Sequence, residues 1–167
     1  GTYNESVTVD TANITLEGPN ANTPGHSDTR GPEAIINRTT APSSGGSAVS
    51  ITADNVTVTG FQIESSAQDG INIGEIGSNV TISNNRNSRV DGNGFGSGNG
   101  AGNGINIQTK DGGDTLENLR IVGNEISNVS SPGNDPNQRA NGIQFAGEND
   151  NITIRDVVIN DNVIENI

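Results

Sequence analysis

"DNVTVTGFQI" (54–63), "GSNVTISNNR" (77–86) and "DNITIRDVVI" (150–159) repeat one phrase: an Asn, an aliphatic residue, a Thr and a second aliphatic residue. Asn-x-Thr is the N-glycosylation acceptor sequence, so the phrase reads as a row of glycan sites. It also reads as one turn and strand used again and again. The surrounding sequence favours the second reading. "SVTV" (6–9), "AVSI" (48–51), "GINI" (70–73), "GINI" (104–107) and "GIQF" (142–145) align as a first strand. Each is followed by a second: "ITL" (14–16), "VTV" (56–58), "VTI" (80–82), "LRI" (119–121), and then either "ITI" (152–154) or "VVI" (157–159). A third apolar step follows at Ile35 and Ile36, Ile63, Ile126 and Ile164. Alternating aliphatic residues mark strands with one buried face. Self-similarity at this period marks a solenoid. The expectation is an all-β chain of about five coils, unequal because loops are inserted between strands, forming one domain over residues 1–167.

Composition agrees. Only 29% of the 167 residues are hydrophobic and 2% aromatic, too few for a thick central core. A narrow continuous core suffices when each buried Ile or Val contributes roughly 1.5–3 kcal/mol. Inward stacks are expected from Val49, Ile51, Ile71, Ile73, Ile105 and Ile107. At the bend before the third strand, "ISNNRN", "IVGNEI" and "INDNVI" superpose and place Asn85, Asn124 and Asn162 at one position. Stacked about 4.8 Å apart, their amides form a hydrogen-bonded ladder. Phe61 takes that place one coil earlier and interrupts it.

The chain carries 20 acidic residues against 8 basic ones, a net charge of −12, and Lys110 is its only Lys. An acidic, Lys-poor surface suits high salt, where self-repulsion is screened, although an ordinary acidic secreted protein has the same balance. Nucleic acid is a poor partner for such a surface. With no Cys, disulfides and Cys-based zinc sites are excluded. No apolar run is long enough to span a membrane, and no signal peptide stands at the start.

The "GIxI…NVTI…N.I" repeat resembles the right-handed, single-stranded parallel β-helix of the pectin-lyase-like superfamily. That resemblance implies an extracellular or cell-surface protein. It also implies a glycan-binding face on the outside of the first sheet, walled by loops. The outward residues there are Thr8, Ser50, Asn72, Asn106 and Gln144, a neutral polar stripe. The calcium-dependent lyases of the superfamily need carboxylates and an Arg base on this stripe, and the inverting hydrolases several close Asp residues; neither set is present. "GNDPNQ" (133–138) approaches the Asp-Pro-His-Glu motif of alginate epimerases, with Asn137 and Gln138 replacing the two catalytic types. The neighbouring loops supply Lys110, Asp111, Asp114 and Glu117 in 108–118, Asp135 and Arg139 in 130–141, and Arg89 and Asp91 in 88–103. Lys110 and Arg139 are the candidate catalytic pair, a cation and a base for β-elimination on a uronate. Asp111 and Asp135 join the candidate ligand-binding residues, and Asp91, Asp111 and Asp114 are candidate calcium ligands. No cofactor is required, although calcium is compatible with these loops.

The Asn residues divide accordingly. Asn13, Asn55, Asn79 and Asn151 precede second strands, as Asn118 does without a Thr, so position in the repeat explains them. Asn4, Asn37 and Asn128 remain as candidate glycan acceptors. Two functional classes stay open: a structural or polysaccharide-binding module, and a lyase, hydrolase or epimerase acting on an anionic polysaccharide. A third, a flat array of Thr15, Thr57 and Thr81 on ice, has only three rungs. The first coil lacks an N-terminal covering helix and the last ends on a strand, so a longer chain or self-association through the coil ends is expected.

Overall fold

The computed structural model describes residues 1–38, 46–65, 68–74, 78–91, 102–109, 115–130, 139–147 and 153–167; the side chains of 91, 109 and 147 fall outside the description. The chain enters through β1 (Thr2–Tyr3). Coil one is β2 (Val7–Val9), β3 (Thr15–Glu17) and β4 (Ile35–Arg38), and coil two is β5 (Val49–Ile51), β6 (Val56–Thr59) and β7 (Gln62–Ser65). Coil three is β8 (Ile71–Gly74), β9 (Val80–Ser83) and β10 (Arg86–Asp91). Coil four is β11 (Asn103–Thr109), β12 (Thr115–Glu117), β13 (Arg120–Val122) and β14 (Glu125–Ser130). Coil five is β15 (Asn141–Gly147), β16 (Thr153–Arg155), β17 (Val158–Asn160) and β18 (Val163–Glu165).

Strands one coil apart pair in parallel. The first sheet is β2-β5-β8-β11-β15, the second β3-β6-β9-β13-β17, and the third β1-β4-β7-β10-β14-β18. This is the all-β parallel β-helix of five coils that the repeat predicts. One detail differs from expectation, and one open choice is resolved. Residues 115–117, expected in a loop, form β12, which pairs with β16 as a separate two-stranded sheet. Of the two candidates for the second-sheet strand of coil five, "VVI" holds the place as β17, and Arg155 belongs to the extra sheet. Asn151 lies outside the described residues, and the corner position of coil five is held by Asp156, two residues before Val158.

The corners explain the recurring Asn. Asn13, Asn55, Asn79, Asn118 and Asp156 all have φ between 54° and 65°, the left-handed region. Short polar side chains tolerate it far better than β-branched ones. Their backbone N–H groups continue the coil-to-coil bonding, Asn13 to Asp54 O, Asn55 to Ser78 O and Asn79 to Glu117 O. A second left-handed row, Gly60, Asn84, Gly123 and Asp161, precedes the ladder position. A third, Arg89, Asn128 and Asn166, bends the end of the third sheet.

Inward residues stack as expected: Val49, Ile51, Ile71, Ile73, Ile105 and Ile107 are fully buried or nearly so, as are Val56, Val58, Val80, Ile82 and Ile121 of the second sheet. The third-sheet row runs Ile36, Ile63, Asn87, Ile126, Ile164, with an Asn where its neighbours carry Ile. Asn87 is fully buried; its Nδ2 donates to Gly104 O at 3.3 Å, but its Oδ1 has no partner. An unmet buried acceptor costs about 1–3 kcal/mol. Asn87→Val is therefore expected to raise stability by about 1 kcal/mol, read as a higher melting temperature. A lower one would show that the amide is worth more than the aliphatic contact it displaces.

Between β3 and β4, residues 18–33 run along the helix axis instead of closing coil one directly. Gly18 N donates to Thr59 O and Asn20 N to Gly60 O in coil two. Asn84 Nδ2 of coil three donates to Ala21 O at 2.6 Å, and Arg30 Nη1 donates back to Asn84 O at 2.8 Å. Gly25 N donates to Gly123 O of coil four at 2.7 Å, and His26 Nε2 lies 3.9 Å from Asp161 Oδ1 of coil five. Arg30 pairs with Glu33 through both carboxylate oxygens, while Arg86 bridges Gly25 O and Glu125. One strap thus touches every later coil along a single edge.

At the other extreme, the inward side chains of coil five are only partly covered by the described residues. Phe145, Ile154, Ile159 and Ile164 continue the rows of Ile107, Leu116, Ile121 and Ile126 but are 42–47% exposed.

Candidate functional site

The outer face of the first sheet carries the expected stripe in unbroken register: Thr8, Ser50, Asn72, Asn106, Gln144. Parallel pairing puts one such side chain on each coil, about 4.8 Å from the next. The stripe is not uniformly open. Thr8 is exposed and Ser50, Asn72 and Gln144 are half-buried, but Asn106 is buried at 9% exposure. Asn106 Nδ2 donates to Asn72 Oδ1 at 3.0 Å, joining two coils, and its Oδ1 is buried without a partner.

Beside the stripe, at the corner where the third sheet gives way to the first, lies a group the repeat analysis missed. Ser47, Asp69, Asn103 and Asn141 occupy one position in coils two to five, each two residues before the first inward residue. Asn141 Nδ2 donates to Asn103 Oδ1 at 2.9 Å, and Asn103 donates to Asp69 Oδ1 through Nδ2 at 2.8 Å and through its backbone N at 3.2 Å. Asp69 Oδ2 receives longer bonds from Asn106 Nδ2, 3.3 Å, and Ser47 Oγ, 3.5 Å. A carboxylate accepts without donating, so Asp69 ends this amide line as its terminal acceptor. The signal was present in "DGINI", "NGINI" and "NGIQF", where an acid or amide precedes each Gly. Those glycines admit the close packing: a Cβ on Gly104 would stand 2.3 Å from Ile126 Cγ2.

Asp69 is 6% exposed. Burial raises its carboxyl to about 6, against the pull of the hydrogen bonds from Asn103, Asn106 and Ser47. The folded protein thus holds this proton more tightly than the unfolded chain. Its contribution to stability is complete below the ordinary value of 3.8 and is lost as pH rises through about 6.

The ladder at the opposite corner is present as expected. Asn124 Oδ1 accepts from Asn85 N and Nδ2, Asn162 Oδ1 accepts from Asn124 N and Nδ2, and Phe61 donates only its backbone N to Asn85 Oδ1. Its amides donate toward coil five, whereas those of the Asp69 line donate toward coil two.

Of the remaining predicted catalytic, ligand-binding and calcium residues, the structure describes only a part. Arg139 is exposed beside the first sheet of coil five, its carbonyl accepting from Asn141 Nδ2 at 3.2 Å. Lys110, Asp111, Asp114, Asp135 and the side chain of Asp91 lie outside the described residues. Among the described residues no three acidic or His side chains gather as a metal site. Asn37 lies half-buried on the outer face of β4 opposite Glu64, Asn4 is exposed, and Asn128 is exposed at its left-handed bend. Thr15, Thr57 and Thr81 stand in register on the second sheet, followed by Arg120 and Val158, so the threonine row ends after three rungs. No described helix is long and apolar enough to cross a membrane. Neither a protein-family model, a curated protein nor a solved structure matches this chain.

Proposed function

We propose that the protein is an extracellular or cell-surface β-helix module, similar to the non-catalytic members of the pectin-lyase-like superfamily, that lays a polysaccharide along the outer face of its first sheet. The observation that carries this is the in-register line of Asn72, Asn106 and Gln144 with Ser50 and Thr8. It offers an amide or hydroxyl on coils one, two, three and five, with buried Asn106 bracing Asn72 from coil four, and a repeating chain of sugar hydroxyls needs that kind of periodic hydrogen bonding. Asp111 and Asp135 flank the line in sequence and would widen its contact, and Asp91, Asp111 and Asp114 would hold calcium if the glycan is bridged through it. Glycans on Asn4, Asn37 or Asn128 fit an exported protein. The acidic surface fits a saline medium, and the partly exposed apolar side chains of coil five fit self-association.

Cleavage is the competing reading, because Arg139 stands exposed at the lip of the stripe, with Lys110 beyond β11 as its only lysine counterpart. The experiment is a glycan-array screen coupled to ultraviolet assay of alginate, pectate and glycosaminoglycan, with and without calcium. Binding without unsaturated product is expected, and Lys110→Ala and Arg139→Ala should alter affinity alone. Steady product formation that falls at least about a hundredfold in each variant, the scale of a positioned acid–base group, would identify a lyase and overturn the proposal.

A further inference from the structure

We infer that Asp69 is a proton-operated switch that sets which hydrogen-bonding atoms the first sheet turns toward a ligand; the ligand part of this inference rests on the glycan-binding face proposed above. The geometry is a relay. Asp69 Oδ2 accepts from Asn106 Nδ2, and the same nitrogen donates to Asn72 Oδ1. With the carboxylate ionised, Asn106 is held with its nitrogen between two acceptors, and Asn72 has its oxygen occupied and its NH2 left to face outward. Protonation replaces an acceptor with an O–H donor at Asp69 Oδ2. The Asn106 amide then meets that donor by rotating its Oδ1 onto it, the atom now buried without a partner. Rotation sets Asn106 Oδ1 against Asn72 Oδ1, so Asn72 must turn too, and the outward atom of the stripe changes from donor to acceptor.

Among the described residues no ion pair engages Asp69. The groups bonded to the carboxylate are Ser47, Asn103 and Asn106, all neutral. The third sheet presents apolar side chains to the corner, Val90 against Gly70 and Ile126 against Gly104. Of the charged side chains of β10 and β14 that the structure describes, Arg86 pairs with Glu33 and Glu125, and Arg89 is exposed. Arg38 of β4 donates to Gly46 O next to Ser47. Burial raises the carboxyl to about 6, so the switch lies in a pH range that secreted proteins meet.

The test is nuclear magnetic resonance on the labelled full chain between pH 4.5 and 7.5. The Asp69 carboxyl carbon should titrate near pH 6, and the side-chain NH2 signals of Asn72, Asn103 and Asn106 should move with that midpoint. In Asp69→Asn the amide movements should vanish. Fluorescent oligogalacturonate should bind wild type about fivefold more tightly at pH 7.5 than at pH 5, the worth of one net hydrogen bond, and bind Asp69→Asn equally at both. A carboxyl that titrates near 4, or amides that stay still while it titrates, would overturn the switch without any variant being needed. Amide movement combined with pH-independent binding would also overturn it as a control on ligand. No binding at either pH defeats the glycan reading itself, and the wild-type titration then decides alone whether Asp69 turns the face.

Discussion

Gly25→Ala is expected to lower stability by about 3–5 kcal/mol, a fall in melting temperature on the order of 10 °C. The reason is local and severe. A Cβ on Gly25 would stand 2.1 Å from Asn85 O and 2.5 Å from Glu125 N, both backbone atoms of coils three and four that cannot move aside singly. The strap must lift instead. Lifting it breaks the bond from Gly25 N to Gly123 O and the one from Arg86 Nε to Gly25 O, and it strains Arg30, which is anchored on Thr23 O and Asn84 O. Gly31→Ala in the same strap is the control: its Cβ would meet only Asn20 Oδ1, at an ordinary 3.5 Å, and the change should stay within about 0.5 kcal/mol. If the two variants melt together, and amide exchange at Gly123 and Asn84 is unchanged in Gly25→Ala, the strap does not clamp the coils.

The strap also marks where sequence stopped being informative. The coils were legible because their cause is periodic: Val49, Ile71 and Ile105 recur with the same alternation, and a parallel strand has no other way to bury such a face than to stack it. Residues 18–33 have no period, and nothing in "GPNANTPGHSDTRGPE" announces that Asn20, Gly25 and Arg30 lie against coils two, three and four. Asn87 was illegible for the opposite reason, since the repeat itself led one to expect an aliphatic residue in its place. The outward stripe was placed correctly in register, but its burial at Asn106 was not, because alternation assigns a face and says nothing of what covers it. Asp69 was overlooked because "QDG" reads as a turn. Its importance comes from three long-range partners, Asn103, Asn106 and Ser47, that only the stacking brings together. The loops holding Lys110 and Asp135 stay as the sequence left them, candidates by chemistry alone.

Asn124→Ala is expected to cost about 2–4 kcal/mol, more than the same change at Asn85 or Asn162, because Asn124 alone has a ladder amide on both sides. Its loss removes the acceptor of Asn85 N and Nδ2 and the donors to Ile82 O and Asn162 Oδ1. Asn85 keeps Val58 O for its Nδ2, so the uncompensated loss is its buried backbone N–H. Asn162 is only half-buried, so water can reach the site of its lost side chain, and the same truncation there should cost about half. Asn4→Ala, at an exposed position off the ladder, should cost almost nothing. Asn124→Asp separates the ladder's two functions. A carboxylate still accepts from Asn85 but cannot donate to Ile82 O, and burial will push its pKa up as it does at Asp69. The native state then binds the proton more tightly than the unfolded chain, so the variant should lose stability as pH rises through the raised value, while Asn124→Ala keeps the wild-type pH profile. Equal melting temperatures for Asn124→Ala and Asn4→Ala would mean that the coils are held by their aliphatic rows and the strap alone.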